Sequence, residues 1–207
     1  MGGDGVAEAD RASRAPTNNM GKPRDSVAIL LATAEDIPVL RGLIEKSVRV
    51  LQREDYSAEQ LEAALGTAYG VDTQLIADGT YYVVEELREA GERGIVACGG
   101  WSVRKTLYGS DHGPYRDNAQ LDPACDAAKI RAFFVHPEWT RRGIASLILK
   151  TCEDAAYARG FRRFEMGATL TGVPMYAARG YEAKERLEVP LPGGLSLTVV
   201  WMGKRVE

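Results

Sequence analysis

The sequence contains few residues of the types that bind metals or form disulfide bonds. It has two histidines and three cysteines, and Cys98, Cys125 and Cys152 are widely spaced with no CxxC pair among them. This pattern lacks the ligand spacing of a zinc site, and an odd number of isolated cysteines favours free thiols over a disulfide framework. We therefore expect no metal site and a cytoplasmic protein.

Long apolar runs and blocks of basic residues are also missing. No stretch approaches the ~20 apolar residues that span a bilayer, and residues 1–25 have no apolar core of the signal-peptide kind. The net charge is −3 at pH 7, and the chain has no long run of lysine and arginine. Because polyanions favour a strongly basic surface, neither nucleic acid nor a membrane is an expected partner.

The composition is that of a single globular domain. The chain has 207 residues, of which 45% are hydrophobic and 27% are charged, and this length and apolar fraction suffice for one core. Residues 1–25 are rich in small and polar residues and are predicted to form a disordered tail. We expect residues 26–207 to form one domain.

Hydrophobic patterning predicts a mixed α/β architecture. Short apolar runs rich in β-branched residues predict strands, and apolar residues at helical spacing after capping residues predict helices. The predicted strands lie at 26–31, 80–86, 94–103, 127–136, 161–170, 182–190 and 195–202, and the predicted helices follow Thr33 and Ser57 and cover 143–159 and 173–181. Residues 104–126 form a long irregular insertion, and insertions of this length are often functional.

The stretch EWTRRGIAS, residues 138–146, places two arginines and a glycine where a predicted helix begins. The first amide N–H groups of a helix have no intrahelical acceptors, and Gly143 lets a ligand approach the backbone closely. Together with Arg141 and Arg142, these groups are typical of an anion site suited to a pyrophosphate. The chain has neither a GxxxxGK[ST] nor a GxGxxG motif, which argues against ATP and dinucleotides. The alternative is that both arginines are solvated on a turn.

The residues HPEWTRRGIASLIL, the following GF and the later MYAARGYE together resemble the GCN5-related N-acetyltransferases. The signature of that family is Gln/Arg-x-x-Gly-x-Gly/Ala, and the corresponding residues here, Thr140 to Ala145, read TRRGIA. The resemblance implies an α/β fold with a mixed, mostly antiparallel twisted sheet of about seven strands flanked by helices. It also implies acetyl-CoA as the acyl donor.

The resemblance further implies which residues bind acetyl-CoA. The pantetheine arm would lie along Phe134 and Val135, and Thr169 stands where the family often has an asparagine. The pyrophosphate would be bound by the loop and helix start, which comprise Arg141, Arg142, Gly143, Ile144, Ala145 and Ser146. Tyr176 matches a tyrosine that lies near the leaving thiolate in the family, and we expect it to protonate that thiolate. A packing role for Tyr176 is the alternative.

An alkylamine acceptor must lose a proton before it attacks, since with a pKa near 10.4 only about one part in 10³ is neutral at pH 7. Some members of the family carry a glutamate for this purpose, and the corresponding residue here is Lys129. Strand alternation predicts that Lys129, Arg131, Phe133 and Val135 share one face. Two cations on that face would suit an acceptor with a negative group, such as an amino acid. The alternative is that both cations face solvent.

Glu165, on a predicted strand beside the cofactor strand, is our candidate for the general base. An ion pair with Arg163 or Arg131 is its alternative role. Glu54, Asp55 or a chain of water molecules are further candidates.

Four residues are predicted to line the acceptor pocket. They are Tyr56, Trp101, Arg131 and Phe133. Because aromatic residues are more often part of the core, the alternative for Tyr56 and Trp101 is a packing role.

These inferences predict an acetyl-CoA-dependent N-acetyltransferase that acts on a small amine, which attacks the thioester directly. A CoA-binding sensor or regulatory module with the same fold and no turnover is the alternative. A protein-interaction module whose arginines bind acidic partners is a third hypothesis. The acceptor stays open, as does the oligomeric state, for which a symmetric homodimer is the commonest default.

Overall fold

The computed structural model describes residues 18–19, 27–87, 93–113 and 116–207. Its strands are β1 (Asn18–Asn19), β2 (Val27–Leu31), β3 (Tyr81–Leu87), β4 (Arg93–Ser102), β5 (Ala128–Val135), β6 (Arg163–Thr169), β7 (Glu182–Pro190) and β8 (Ser196–Arg205). Its helices are α1 (Ile37–Leu51), α2 (Ala58–Ala64), α3 (Thr73–Ala77), α4 (Ile144–Ala158) and α5 (Val173–Ala177). Apart from Asn18 and Asn19, the predicted tail over residues 1–25 lies outside the described residues.

The strands form one sheet in the order β1-β2-β3-β4-β5-β6-β8-β7. Every neighbouring pair in it is antiparallel except β5 and β6. The predicted mixed, mostly antiparallel sheet is therefore confirmed, with seven long strands and the two-residue β1. Helix α3 is missing from the sequence prediction because its five residues are too few to show a helical period. Among the residues that the structure describes, no helix combines the length and apolar character needed to cross a bilayer.

Helices cover both faces of the sheet. In α1 the buried residues Leu40, Leu43, Ile44 and Val48 follow helical spacing and pack on one face together with residues of α2 and α3. On the other face α4 packs through an apolar stripe that includes Ile148. The sheet between these two layers therefore has an apolar core on each side.

The sheet is split near its middle. The parallel pairing of β5 with β6 consists of two residue pairs, at Ala128 and Lys129 of β5. Beyond them, β6 stays paired to β8 as far as Thr169, and β5 stays paired to β4. The two strands therefore diverge, and after Lys129 the edge of β5 that faces β6 has no strand partner among the described residues.

A β-bulge in β5 changes which of its side chains share a face. The register between β4 and β5 shifts so that one residue of β4 lies opposite two of β5, and Ala132 at this point has a φ of 57°. After the bulge, Phe133 packs on the same side as Ile130, whereas Phe134 packs on the side of α1. The prediction that alternate residues from Lys129 to Val135 share one face is therefore wrong, because the bulge resets the alternation.

Gly99 of β4 lies opposite this bulge, in a space that cannot hold a methyl group. A Cβ at Gly99 would lie 2.7 Å from Cδ2 of Phe133 and 2.9 Å from Cγ2 of Ile148. We expect Gly99→Ala to lower the free energy of unfolding by about 1–3 kcal/mol, since overpacking forces the neighbours to shift. Chemical denaturation measures this change.

The matched control is Gly42→Ala on the exposed side of α1, where a Cβ would meet nothing in the described chain within 4 Å. There the substitution is expected to raise the free energy of unfolding by about 0.5–1 kcal/mol, because alanine is the better helix former. Changes of the same sign at both positions would contradict the packing described for Gly99.

Candidate functional site

The diverging strands open a cavity of about 1090 Å³. β5 supplies the wall from Ile130 to Val135, and β6 supplies the wall from Met166 to Thr169. One end of the cavity reaches the start of α4, and the other end reaches the insertion at Tyr108 and Gly109, beside Arg131. Residues near the end of α1 also line the cavity, next to Val135. The missing pairing between β5 and β6 thus creates a continuous passage through the middle of the sheet.

The start of α4 forms the first end of this cavity. Gly143 precedes the helix with a φ of 80°, and Arg141 has a φ of 63°. No described side chain caps α4, so the first amide N–H groups, those of Ile144, Ala145 and Ser146, have no intrahelical acceptor and attract anions. All five residues line the cavity, which places unpaired donors and one guanidinium at a single end of it.

Arg142 is not part of the cavity wall. Its guanidinium carbon lies 4.5 Å from the centre of the Trp139 ring, which is a cation–π contact. The geometry therefore assigns the two arginines of the motif different positions, and only the side of the turn that carries Arg141 faces the cavity.

Arg179 is a residue of this end that the sequence did not single out. It follows α5, lines the cavity, and places Nη2 at 2.8 Å and Nε at 3.2 Å from Oγ of Ser146. The feature of the sequence that could have drawn attention to Arg179 is its position before Gly180 in the MYAARGYE stretch. Only the packing of the residues after α5 against the start of α4 shows that Arg179 adds a second positive charge beside the helix start.

The open edge of β5 connects the two ends of the cavity. Phe134 and Val135 line it as predicted, and the Val135 N–H donates to Oγ of Ser47 at 3.3 Å. Across the cavity, Thr169 ends β6, and its hydroxyl accepts from the Gly172 N–H at 3.1 Å. Because β5 has no strand partner on this edge in the described chain, its backbone can pair with an extended ligand as a further strand would.

Tyr176 lies in the wall between these strands. Its ring makes edge contacts with Phe133 and Tyr181, at centroid distances of 6.2 Å and 6.0 Å. Its hydroxyl has no hydrogen-bond partner among the described residues, and burial raises the pKa of that hydroxyl above its ordinary value. Tyr176 is thus both packed and free to donate a hydrogen bond to a ligand, so the geometry is compatible with the two roles that the sequence left open.

Glu165 is placed unfavourably for the role of general base. Its carboxylate oxygens lie 2.7 Å from Nζ of Lys129 and 2.7 Å from Nζ of Lys184, and the residue does not line the cavity. Burial raises the pKa of this carboxyl, but the two lysines outweigh burial and lower it. Glu165 therefore neutralises Lys129 instead of facing a substrate.

Asp55 is the other carboxylate considered as a base, and it is connected to the cavity indirectly. It is exposed, and its Oδ2 accepts a hydrogen bond of 2.5 Å from Oγ1 of Thr171, which lines the cavity. The Thr171 hydroxyl therefore links the cavity to Asp55.

Of the four residues predicted to line the acceptor pocket, Arg131 and Phe133 do so and the other two do not. Trp101 is 1% exposed and packs in the core between the Phe161 ring and the guanidinium of Arg159. Tyr56 is also buried, and its hydroxyl donates to the carbonyl of Thr198 and accepts from the N–H of Leu170. Both are structural, in line with the alternative stated for them.

Arg131 belongs to a buried charge network beneath the insertion. Its Nη2 lies 2.7 Å from Oδ2 of Asp72 and 2.6 Å from the carbonyl oxygen of Gly109. Oδ1 of Asp72 also lies 3.2 Å from Nη2 of Arg116. Nη1 of Arg116 in turn lies 3.8 Å from Oδ1 of Asp111. These contacts hold the insertion against the end of the cavity that Gly109 and Arg131 line, and they fix the Arg131 side chain.

The charged residues in the cavity wall all carry the same sign. Within the described part of the chain, the wall contains Arg131, Arg141 and Arg179 and neither a carboxylate nor a histidine. The cavity is therefore suited to ligands with negative groups at both ends.

Comparison with known proteins identifies this architecture. Residues 121–189 match the family described as the acetyltransferase (GNAT) domain. A GCN5-related N-acetyltransferase from Rhodopseudomonas palustris has a TM-score of 0.61 at 22% identity, over 91% of this chain and all of that one. The PaiA N-acetyltransferase from Thermoplasma acidophilum, in complex with coenzyme A, has a TM-score of 0.57 at 12% identity, over 87% of this chain and 99% of that one.

A third structure, N-acetylglutamate synthase from Neisseria gonorrhoeae with coenzyme A and N-acetyl-glutamate, has a TM-score of 0.51 at 20% identity. It aligns over 87% of this chain and 35% of that one. A comparison with curated protein sequences gave no match.

Residues 121–189 therefore lie in a GNAT acetyltransferase domain, and the resemblance carried by the helix-start motif is confirmed. This domain is that of N-acetyltransferases, and acetyl-CoA is the acyl donor of the family. At these identities, the likeness to solved structures establishes the fold and leaves the substrate undetermined.

Asp72 is the carboxylate on which the buried network depends. The Asp72 side chain is fully buried, and that of Arg131 is 3% exposed. Asp72→Asn removes the negative charge that both guanidiniums contact. It keeps the side-chain oxygen that caps α3. We expect the free energy of unfolding to fall by about 3–5 kcal/mol, because breaking a buried ion pair from one side leaves an uncompensated charge.

The control for Asp72→Asn is Asp154→Asn, which removes an exposed ion pair with Lys150 in α4. Exposed pairs contribute little to stability, so no measurable change is expected from it. Equal effects of the two substitutions in urea denaturation would contradict the role assigned to Asp72.

Proposed function

We propose that this protein is an acetyl-CoA-dependent N-acetyltransferase that acetylates a small amine. The proposal is carried by one observation, the continuity of a single cavity from the uncapped start of α4, along the open edge of β5, to Tyr176 and Arg131. Acetyl-CoA has a matching order of parts, namely a pyrophosphate, an extended arm and a thioester. The donors at Arg141 to Ser146 would bind the pyrophosphate, and the edge at Phe134 and Val135 would bind the arm.

The reaction forms one bond and breaks one bond. The amine nitrogen attacks the thioester carbonyl, the C–N bond forms and the C–S bond breaks, and coenzyme A leaves as a thiol after it takes up a proton. Tyr176 is suited to supply that proton because its hydroxyl lacks a partner in the described chain. Burial raises its pKa, which keeps it protonated at neutral pH.

The proton of the attacking amine has no direct acceptor among the described wall residues, since these include no carboxylate and no histidine. The proton would leave to water, or to Asp55 through Thr171. The same feature is what favours the alternative hypothesis, a CoA-binding sensor without turnover. The free cysteines Cys98, Cys125 and Cys152 support a cytoplasmic setting for either function.

Acetyl-CoA at ~100 times its Kd is expected to raise the free energy of unfolding by about 2.7 kcal/mol, which thermal unfolding measures.

Arg141→Ala should weaken acetyl-CoA binding about tenfold, because Arg141 lines the cavity. Arg142→Ala, one residue along, should have a smaller effect because Arg142 packs on Trp139. No stabilisation of the wild-type protein would refute the proposal.

Tyr176→Phe is expected to reduce acetyl transfer by roughly 10²–10⁴-fold, the usual contribution of a general acid, and to leave the stabilisation by acetyl-CoA intact. In the wild type, kcat/KM should rise with pH up to the pKa of the acceptor amine and show no alkaline decrease due to Tyr176, because the pKa of that residue is raised. Release of coenzyme A thiol against pH gives both results. Stabilisation by acetyl-CoA without thiol release for any amine would instead indicate the sensor.

A further inference from the structure

Arg131 has a buried hydrogen-bonding group that the described residues leave unused. Two contacts occupy its Nη2, at Asp72 and at the carbonyl of Gly109. Its Nε is buried and has no hydrogen-bond partner among the described residues. A buried charged donor without a partner costs its full desolvation penalty, so such groups in native structures call for a ligand or a water molecule. Arg131 lines the cavity, at the end away from the start of α4.

Arg131 shares its counterion with a second guanidinium. Asp72 lies in contact with two guanidiniums, those of Arg131 and Arg116, and it is fully buried beneath the insertion. By contrast Lys129, the other cation considered from the sequence, is paired with Glu165 outside the cavity. Arg131 is thus the cation that this end of the cavity presents to a ligand.

A further unused group in the cavity wall has the opposite character. Gln52 lies just after α1 and lines the cavity, and its buried Oε1 has no hydrogen-bond partner in the described chain. An amide oxygen accepts hydrogen bonds, which suits the N–H groups of an amine. The donor at Arg131 suits a carboxylate, which guanidinium groups bind in preference to neutral oxygens.

Much of the rest of the cavity wall is apolar or aromatic. Tyr69, Tyr108, Val189, Leu197 and Val199 line it. An acceptor bound here can therefore bury an uncharged apolar side chain. A polyamine or another acceptor with several ammonium groups would find no negative side chain in the described wall.

We infer that the acceptor is an amine that carries a carboxylate and an apolar side chain, such as a hydrophobic amino acid, and that Arg131 binds the carboxylate. This inference rests on the proposed acetyltransferase function. Transfer to such an acceptor releases coenzyme A thiol, with one amine proton lost, and yields an N-acetylated carboxylic acid. The product keeps its negative charge and so retains its interaction with Arg131.

The test compares acceptors that differ only in the carboxylate. Phenylalanine is paired with phenethylamine and leucine with isopentylamine, and thiol release gives kcat/KM for each. The wild type is expected to favour the amino acid of each pair by at least tenfold. In Arg131→Lys, which keeps a positive charge beside Asp72 but lacks Nε, the preference should fall at least tenfold. Stabilisation by acetyl-CoA shows that this variant is folded.

A parallel binding measurement separates failure of this inference from failure of the proposed function. N-acetylphenylalanine and N-acetylphenethylamine are titrated into the wild type in the presence of coenzyme A. In the thiol-release assay, equal kcat/KM within each pair or a preference for the amine without the carboxylate would overturn the inference. In the titration, binding of neither N-acetyl compound would also overturn it. Each of these results would leave the acetyltransferase proposal standing. Tighter binding of N-acetylphenylalanine without any thiol release would uphold the assignment of Arg131 and refute turnover.

Discussion

The structure of the site depends on the limited pairing of two parallel strands. β5 and β6 share two residue pairs and then diverge, and each keeps its antiparallel neighbour on the far side. Those neighbours keep the sheet intact while its middle opens. The free-energy cost of this opening is local, because the hydrogen bonds that are lost are those of the β5 backbone groups that would otherwise pair with β6. Ser47 satisfies one of them, at Val135, through a long hydrogen bond that a ligand can replace.

Much of the fold is predictable from the sequence because its signals are local. The uncapped start of α4, its glycine and the alternating strands are each encoded within about ten residues. The bulge at Ala132 is different. The strand AKIRAFFV contains neither glycine nor proline, so nothing in it marks an interrupted alternation. Because the register of a strand decides which face each side chain occupies, missing this one residue misplaces Phe133 relative to Arg131.

The electrostatics of the site were less predictable for a related reason. A cation is visible in the sequence, but its counterion comes from elsewhere in the chain. Lys129 and Arg131 look equivalent as neighbours on a strand, yet the first meets Glu165 of β6 and the second meets Asp72 before α3. Only the fold shows that one charge is neutralised outside the cavity and the other is presented within it.

Concentrating positive charge near a helix start is unfavourable in the absence of a ligand, since the helix dipole there is already positive. Arg142 limits that cost by packing on Trp139. Arg141 and Arg179 remain at this end of the cavity and Arg131 lies at the other, with no carboxylate in the described wall between them. Any ligand that brings negative charge to these ends binds the folded chain and not the unfolded one, and therefore stabilises it. A pyrophosphate can do so at the start of α4, and an acceptor carboxylate can do so at Arg131, so donor and acceptor would offset the same electrostatic cost from opposite ends.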